Sequence, residues 1–157
     1  MRQQGFTLIE LVMVLVIIGI LSAAGIGLFA TRSDFAPFLA KDVLISSSLL
    51  AQQRALANQQ ATSVTLTVSQ DADNWTVQVA QGGTSFDAHA VERAGTALSV
   101  DGSTLSNGSS VTLTYDRRGS TGSTGSTGSN RCFEFEGAAS FDVCVSSEGF
   151  AYECSCP

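Results

Sequence analysis

The sequence predicts an α+β chain in which a long N-terminal helix, membrane-spanning in its first half and amphipathic in its second, packs on an antiparallel β-sheet. Three observations carry this expectation. Residues 6–30 form an almost unbroken apolar run; apolar residues then recur at helical spacing to about residue 60; short stretches of alternating apolar and polar residues follow. The expected division is a leader at 1–5, an anchor helix at 6–30, an amphipathic helix at 31–60 and a β domain at 61–157. A chain of 157 residues suits one anchor and one modest core.

From Phe6 to Leu21 every residue is apolar or small except Thr7 and Glu10. At about 1.5 Å per residue the run from 6 to 30 reaches about 37 Å as a helix, enough for a hydrocarbon layer of about 30 Å. Arg2 is the only charge ahead of it, and a single positive charge there favours a cytoplasmic N-terminus with the C-terminal domain outside. The competing reading is an ordinary secretory signal, cut near Ser22-Ala23-Ala24 and releasing a soluble binding protein. Glu10 speaks against it, because an acid inside such a run costs about 2–3 kcal/mol or more and asks for a partner. Cleavage after Gly5 would create an amine on Phe6, one helical turn from Glu10. The two charges could then neutralise each other within one chain or between neighbouring helices.

The hexapeptide Gly5-Phe6-Thr7-Leu8-Ile9-Glu10 resembles the prepilin cleavage and methylation motif of type IV pilins and type II secretion pseudopilins. The resemblance implies a pilin-like fold and a non-enzymatic filament subunit, a minor pilin or pseudopilin, with a major pilin as the alternative. It also implies that a prepilin peptidase cuts between Gly5 and Phe6 and methylates the new amine. Glu10 would then pair with the Phe6 amine of a neighbouring subunit during assembly. The implied partners are other pilin subunits, the peptidase, the inner-membrane assembly platform and membrane lipid. The implied location is the bacterial inner membrane, crossed once with the domain in the periplasm, and then a pilus or pseudopilus. Many members carry a proline late in the anchor helix, whereas this chain has Gly25 and Gly27, which weaken a helix without the proline kink.

A break is expected at Thr31 to Pro37, where Ser33 or Asp34 can cap a new helix and Pro37 fits its first turn. Phe38, Ile45, Leu49 and Leu56, widened by Leu39, Val43 and Leu50, form the stripe expected to dock on the sheet; Lys41, Gln52, Gln53 and Arg54 are expected to stay wet. Strands are expected at 63–69, 74–80, 97–100 and 111–115, together suggesting an antiparallel sheet covered on one face by the helix, and 131–136 and 141–145 can pair as a hairpin. The Gly-Ser-Thr run within 119–130 has nothing to bury and reads as a flexible loop.

All four cysteines, Cys132, Cys144, Cys154 and Cys156, follow residue 131, a clustering that points to disulfides in an oxidising compartment. Zinc usually wants two closely spaced pairs, and here only Cys154 and Cys156 are close. A hairpin turning at Gly137-Ala138-Ala139 sets Phe133 opposite Val143, Phe135 opposite Phe141 and Cys132 opposite Cys144. This register favours a Cys132–Cys144 bond, leaving Cys154 and Cys156 to pair with each other or elsewhere, while pairings that join the tail to the hairpin stay open. The layout from Tyr115-Asp116-Arg117-Arg118-Gly119 to Val145-Ser146-Ser147-Glu148-Gly149 resembles the GspH and FimT-like minor pilins. Gln52-Gln53-Arg54-Ala55 resembles, more loosely, the mannose-sensitive haemagglutinin type of pilus.

Nothing in the sequence calls for an enzyme, a metal or a cofactor. The single histidine, His89, stands in a polar stretch after Asp87 and reads as a surface or loop residue. Glu134, Glu136 and Asp142 would share the exposed face of the hairpin, where solvated strand charges explain them better than calcium does. A formal net charge of -6 and a tail after Gly149 without Lys or Arg give the expectation of no nucleic-acid binding, Arg117 and Arg118 notwithstanding.

Overall fold

The computed structural model describes residues 7–29, 32–58, 62–121, 130–137 and 139–156, with the side chains of 23–29 and 32–34 excepted. The leader with Gly5 and Phe6, and most of the Gly-Ser-Thr run, lie outside the described residues. The chain is α+β: among the described residues, helices α1 (Leu8–Phe29) and α2 (Arg32–Ala57) precede nine strands. These are β1 (Val64–Gln70), β2 (Asn74–Gln81), β3 (Thr84–Glu92), β4 (Ala97–Val100), β5 (Ser103–Thr104), β6 (Ser109–Tyr115), β7 (Arg131–Glu136), β8 (Phe141–Val145) and β9 (Ala151–Glu153). Two compact units result, Met1–Arg32 and Ser33–Pro157.

The first unit is α1, whose large apolar side chains from Leu8 to Leu21 are exposed all round the helix. Among the described residues no helix is long and apolar enough to cross a membrane. The part of α1 with described side chains ends at Ser22, short of the about 20 residues a span needs. The expected span over 6–30 therefore rests on the sequence.

The second unit contains two antiparallel sheets, ordered β3-β2-β1-β6 and β5-β4-β7-β8-β9, in place of the single sheet expected. The split falls between β3 and β4, where Ala94 (φ 49°) and Gly95 (φ 81°) turn the chain out of the first sheet. Arg93 fastens this corner: its Nε and Nη2 donate to the Thr96 carbonyl at 3.0 and 2.8 Å, and its Nη1 donates to the Asp71 carbonyl and Asn107 Oδ1, both at 2.6 Å. The strand β3 itself was not expected. Along it only Val91 is buried, so the alternation that reveals a half-buried strand is absent. His89, expected in loop or surface, is on this exposed strand.

The inward faces of the sheets meet at Trp75 and Phe135, whose rings lie edge to face with centroids 5.1 Å apart. Trp75 Nε1 donates to Gln70 Oε1 (2.9 Å), and Gln70 Nε2 donates in turn to the Leu105 carbonyl (2.5 Å), so these buried polar groups are satisfied.

Helix α2 docks chiefly by a different face from the one expected, although Gln53 and Arg54 are exposed as expected. Ala36, Ala40, Leu44, Ser48, Ala51 and Ala55 are buried, and so are Lys41 and Gln52, which were expected in water. Phe38, Leu39, Leu49 and Leu56 are 42–58% exposed; Val43, Ile45 and Leu50 are partly buried against the core. The sheets already fill the interior with Trp75, Tyr115, Phe133 and Phe135. A helix laid over such large residues fits with mainly alanine and serine at the contact, around Leu44, while Phe38, Leu39, Leu49 and Leu56 turn outward.

Two turns of the same build close the far end of the domain. Gly119 N donates to the Asp116 carbonyl and Gly149 N to the Ser146 carbonyl, both at 2.9 Å. Both glycines have positive φ, 76° and 85°. The turns bind each other through Thr121 N and the Ser147 carbonyl (2.9 Å), Ser120 Oγ and the same carbonyl (2.6 Å), and Thr121 Oγ1 and the Ser146 carbonyl (2.9 Å). Residues 119–121, expected at the start of a flexible loop, are therefore held. Gln52 reaches in from α2 and donates to the carbonyls of Glu148 (3.1 Å) and Gly119 (3.5 Å). A Cβ on residue 149 would overlap the Gly119 carbonyl oxygen. Gly149→Ala should therefore cost about 2 kcal/mol or more, combining strain at positive φ with overpacking. Urea unfolding followed through Trp75, the single tryptophan, measures it.

Candidate functional site

Glu10 lies in the first turn of α1, where its charge complements the helix dipole. Its Oε2 accepts from the Thr7 backbone N–H (2.9 Å) and from the Thr7 hydroxyl (2.7 Å), and its own N–H donates to Thr7 Oγ1 (3.4 Å). This is a capping box: Thr7 is the N-cap, and the acid three residues on satisfies it in return. The Leu11 N–H donates to the Thr7 carbonyl (3.3 Å) and starts the helical ladder. Thr7 is thus a capping residue whose role the motif reading passed over, although Thr-x-x-Glu before an apolar run signals it. Gly5 and Phe6, which complete the expected site, lie outside the described residues.

The second feature is the tail. Lys41, nearly buried on α2, donates from Nζ to Glu153 Oε1 on β9 at 2.5 Å, with Asp42 at 3.5 Å. The amine lies 4.6 Å from the Phe38 ring centroid and 5.3 Å from that of Phe141. The Glu153 carboxylate raises the Lys41 pKa, and burial opposes it. This pair ties the C-terminal strand to α2.

All four cysteines are in disulfides, Cys132–Cys156 and Cys144–Cys154. The hairpin register is the one expected, with Cys132 opposite Cys144, Phe133 opposite Val143 and Phe135 opposite Phe141. The favoured Cys132–Cys144 bond is not formed, and the reason is β9. This unforeseen strand pairs Tyr152 with Cys144, and the Cys154 N–H continues the ladder to the Asp142 carbonyl at 3.2 Å. Alternation then sets Cys154 diagonally beside Cys144 on one face. The Cys156 N–H donates to Asp142 Oδ2 (2.9 Å), turning the chain back toward Cys132.

The other candidates do not converge. His89 Nε2 lies 3.0 Å from Asp87 Oδ2 on the exposed β3. Glu134 and Asp142 are opposed across β7 and β8, while Glu136 accepts from Ser99 Oγ at 2.8 Å on the neighbouring strand. Arg117 and Arg118 are exposed on their turn. Ser48 Oγ and Tyr115 Oη, 2.7 Å apart, join α2 to β6, and burial raises the Tyr115 pKa.

Compared with known protein families, residues 1–26 match the prokaryotic N-terminal methylation motif. That match supports the type IV pilin and pseudopilin family to which the hexapeptide pointed. No curated protein and no solved structure compared with the chain matches it.

The raised pKa of Lys41 carries a stability consequence. A lysine stabilised in its charged form contributes fully below its unfolded value of about 10.4 and loses that contribution as pH rises through the higher folded value. The stability difference between the wild type and Glu153→Gln should therefore be flat from about pH 6 to about pH 10, where Glu153 is ionised and Lys41 charged, and shrink above it, as read from urea unfolding along a pH series.

Proposed function

We propose that the protein is a minor pilin or pseudopilin: a non-enzymatic filament subunit, anchored by α1 in the bacterial inner membrane, with the β domain in the periplasm before assembly. The observation that carries this reading is the methylation motif over residues 1–26, with Glu10 in the first turn of α1. In it, prepilin peptidase cuts between Gly5 and Phe6, methylates Phe6, and leaves Glu10 to meet the amine of a neighbouring subunit. An α1 that is apolar all round suits lipid first and a bundle of like helices later. The outward side chains Phe35, Leu39 and Leu49 of α2, 53–62% exposed, offer a second apolar surface to other subunits. The paired turns at Gly119 and Gly149 are the layout that favours a GspH or FimT-like member over a major pilin.

Mass spectrometry of the mature chain should find an N-terminal methylated Phe6; a chain beginning at Gly25 overturns the proposal in favour of an ordinary signal peptide. Glu10→Ala should be inserted and cleaved but enter filaments roughly tenfold less well, the effect of about 1.4 kcal/mol. Immunoblots of sheared filaments measure this, and normal incorporation would remove Glu10 from assembly.

Leu49→Lys separates surface from core. Its position is 53% exposed, so folding stability should change by no more than about 0.5 kcal/mol. Filament incorporation should fall, as the same blots would show.

A further inference from the structure

The four tail and hairpin sulfurs stand closer together than two independent disulfides require. Cys132 donates its N–H to Asp101 Oδ1 (2.8 Å) and accepts from the Asp101 N–H through its carbonyl (2.8 Å). Its backbone polar groups therefore point away from β8. Cys132 and Cys144 form a non-hydrogen-bonded pair of the β7–β8 ladder, the kind whose side chains approach most closely. Their unbonded sulfurs are 3.8 Å apart, and Cys132 Sγ lies 4.0 Å from Cys154 Sγ. Each disulfide thus has a sulfur of the other beside it. All four cysteines line one cavity of about 800 Å³, together with Asn130 and Tyr152. Cys132 and Cys144 are buried at its floor at 7% and 8% exposure, and Cys154 and Cys156 are more open.

We propose that this cluster is a thiol-exchange site, which accepts the thiolate of a small monothiol or of a thiol–disulfide oxidoreductase at Cys154 and shuffles the pairing between tail and hairpin. The incoming thiolate bonds to Cys154 Sγ, the Cys144–Cys154 bond breaks, and the electron pair leaves on Cys144. The Cys144 thiolate attacks Cys132 Sγ, 3.8 Å away, and the Cys132–Cys156 bond breaks with Cys156 leaving as thiolate. Cys156 then attacks Cys154, closing a bond across one residue and expelling the original thiol. Nothing is oxidised or reduced overall, and the thiol is regenerated. The product holds the hairpin to itself and releases the tail from its disulfides to the hairpin, leaving the β8–β9 pairing, the Lys41–Glu153 contact and the hydrogen bonds of Cys156 N–H to Asp142 and of Asn130 to Tyr152. The site follows from sulfur geometry and stands apart from the filament reading.

Cys156→Ser in the full chain tests exchange between the Cys132 sulfur and the second disulfide without added thiol, because it leaves Cys132 free beside Cys144–Cys154. After equilibration at about pH 8, where part of a thiol with a pKa of about 8.5 is thiolate, the chain is alkylated with iodoacetamide and mapped by mass spectrometry. At least roughly a tenth of the label should fall on Cys144 or Cys154, the share of an isomer tenfold less stable. In the wild-type chain, a trace of reduced glutathione should make a Cys132–Cys144 peptide appear. Label confined to Cys132, or a wild-type map that glutathione leaves unchanged, overturns the proposal.

Discussion

The close approach of α2 to two sheets of large side chains is the constraint on which the domain depends. Trp75, Tyr115, Phe133 and Phe135 are all but fully buried, so little depth remains beneath the helix. Ala36, Ala40, Ala51 and Ala55 meet that condition because a methyl group is all they bring to the contact. The approach also shapes the polar chemistry. Ser48 comes within 2.7 Å of Tyr115, and Gln52 reaches the carbonyls of both closing turns. A wider helix face would hold the sheets but would withdraw Gln52 from Gly119 and Glu148.

With mostly small residues inside, Leu44 being the large exception, several large apolar ones are left outside, and the helix becomes two-sided. One side completes a core; the other presents Phe35, Leu39 and Leu49 to whatever lies beyond. A monomer that stayed in water would gain nothing from this arrangement, since each of these roughly half-exposed side chains forgoes part of the about 1.5–3 kcal/mol that full burial gives. A filament subunit recovers it on assembly. Lys41 sits at the border between the sides, using Phe38 and Phe141 as an aromatic wall and Glu153 as a counter-ion.

The sequence was legible wherever one periodicity stood alone. Strands β1 and β2 alternate without ambiguity, and the β7–β8 register follows from matching Phe133, Phe135 and Val143 on one face, down to the opposition of Cys132 and Cys144. It was misleading in α2, where two stripes coexist and the more hydrophobic one is not the buried one. Size, not hydrophobicity, decides there, and size can be judged only against the opposing sheet. Strand β3 escaped because neither of its faces is consistently buried. At three residues β9 is too short for a period, and without it the path of the cysteine tail could not be drawn. At the candidate site, Glu10 stood out as an acid among apolar neighbours, while Thr7, a common residue in an ordinary place, did not.

The capping box bears on how one carboxylate can serve two stages. Both Thr7 bonds fall on Oε2, and Oε1 accepts none among the described residues. A carboxylate has about four acceptor sites, so the cap leaves room for an amine rather than competing with it. Before assembly, Thr7 supplies the donors that make an acid at the edge of an apolar helix tolerable, since a hydrogen-bonded charge costs far less than a bare one. Under the proposed filament role, the same two bonds would fix the rotamer, so that the second oxygen would already be oriented when a neighbouring amine arrived. On that proposal Glu10 would be a preorganised acceptor, and the turn that begins the helix would be the part of the anchor that meets its partner.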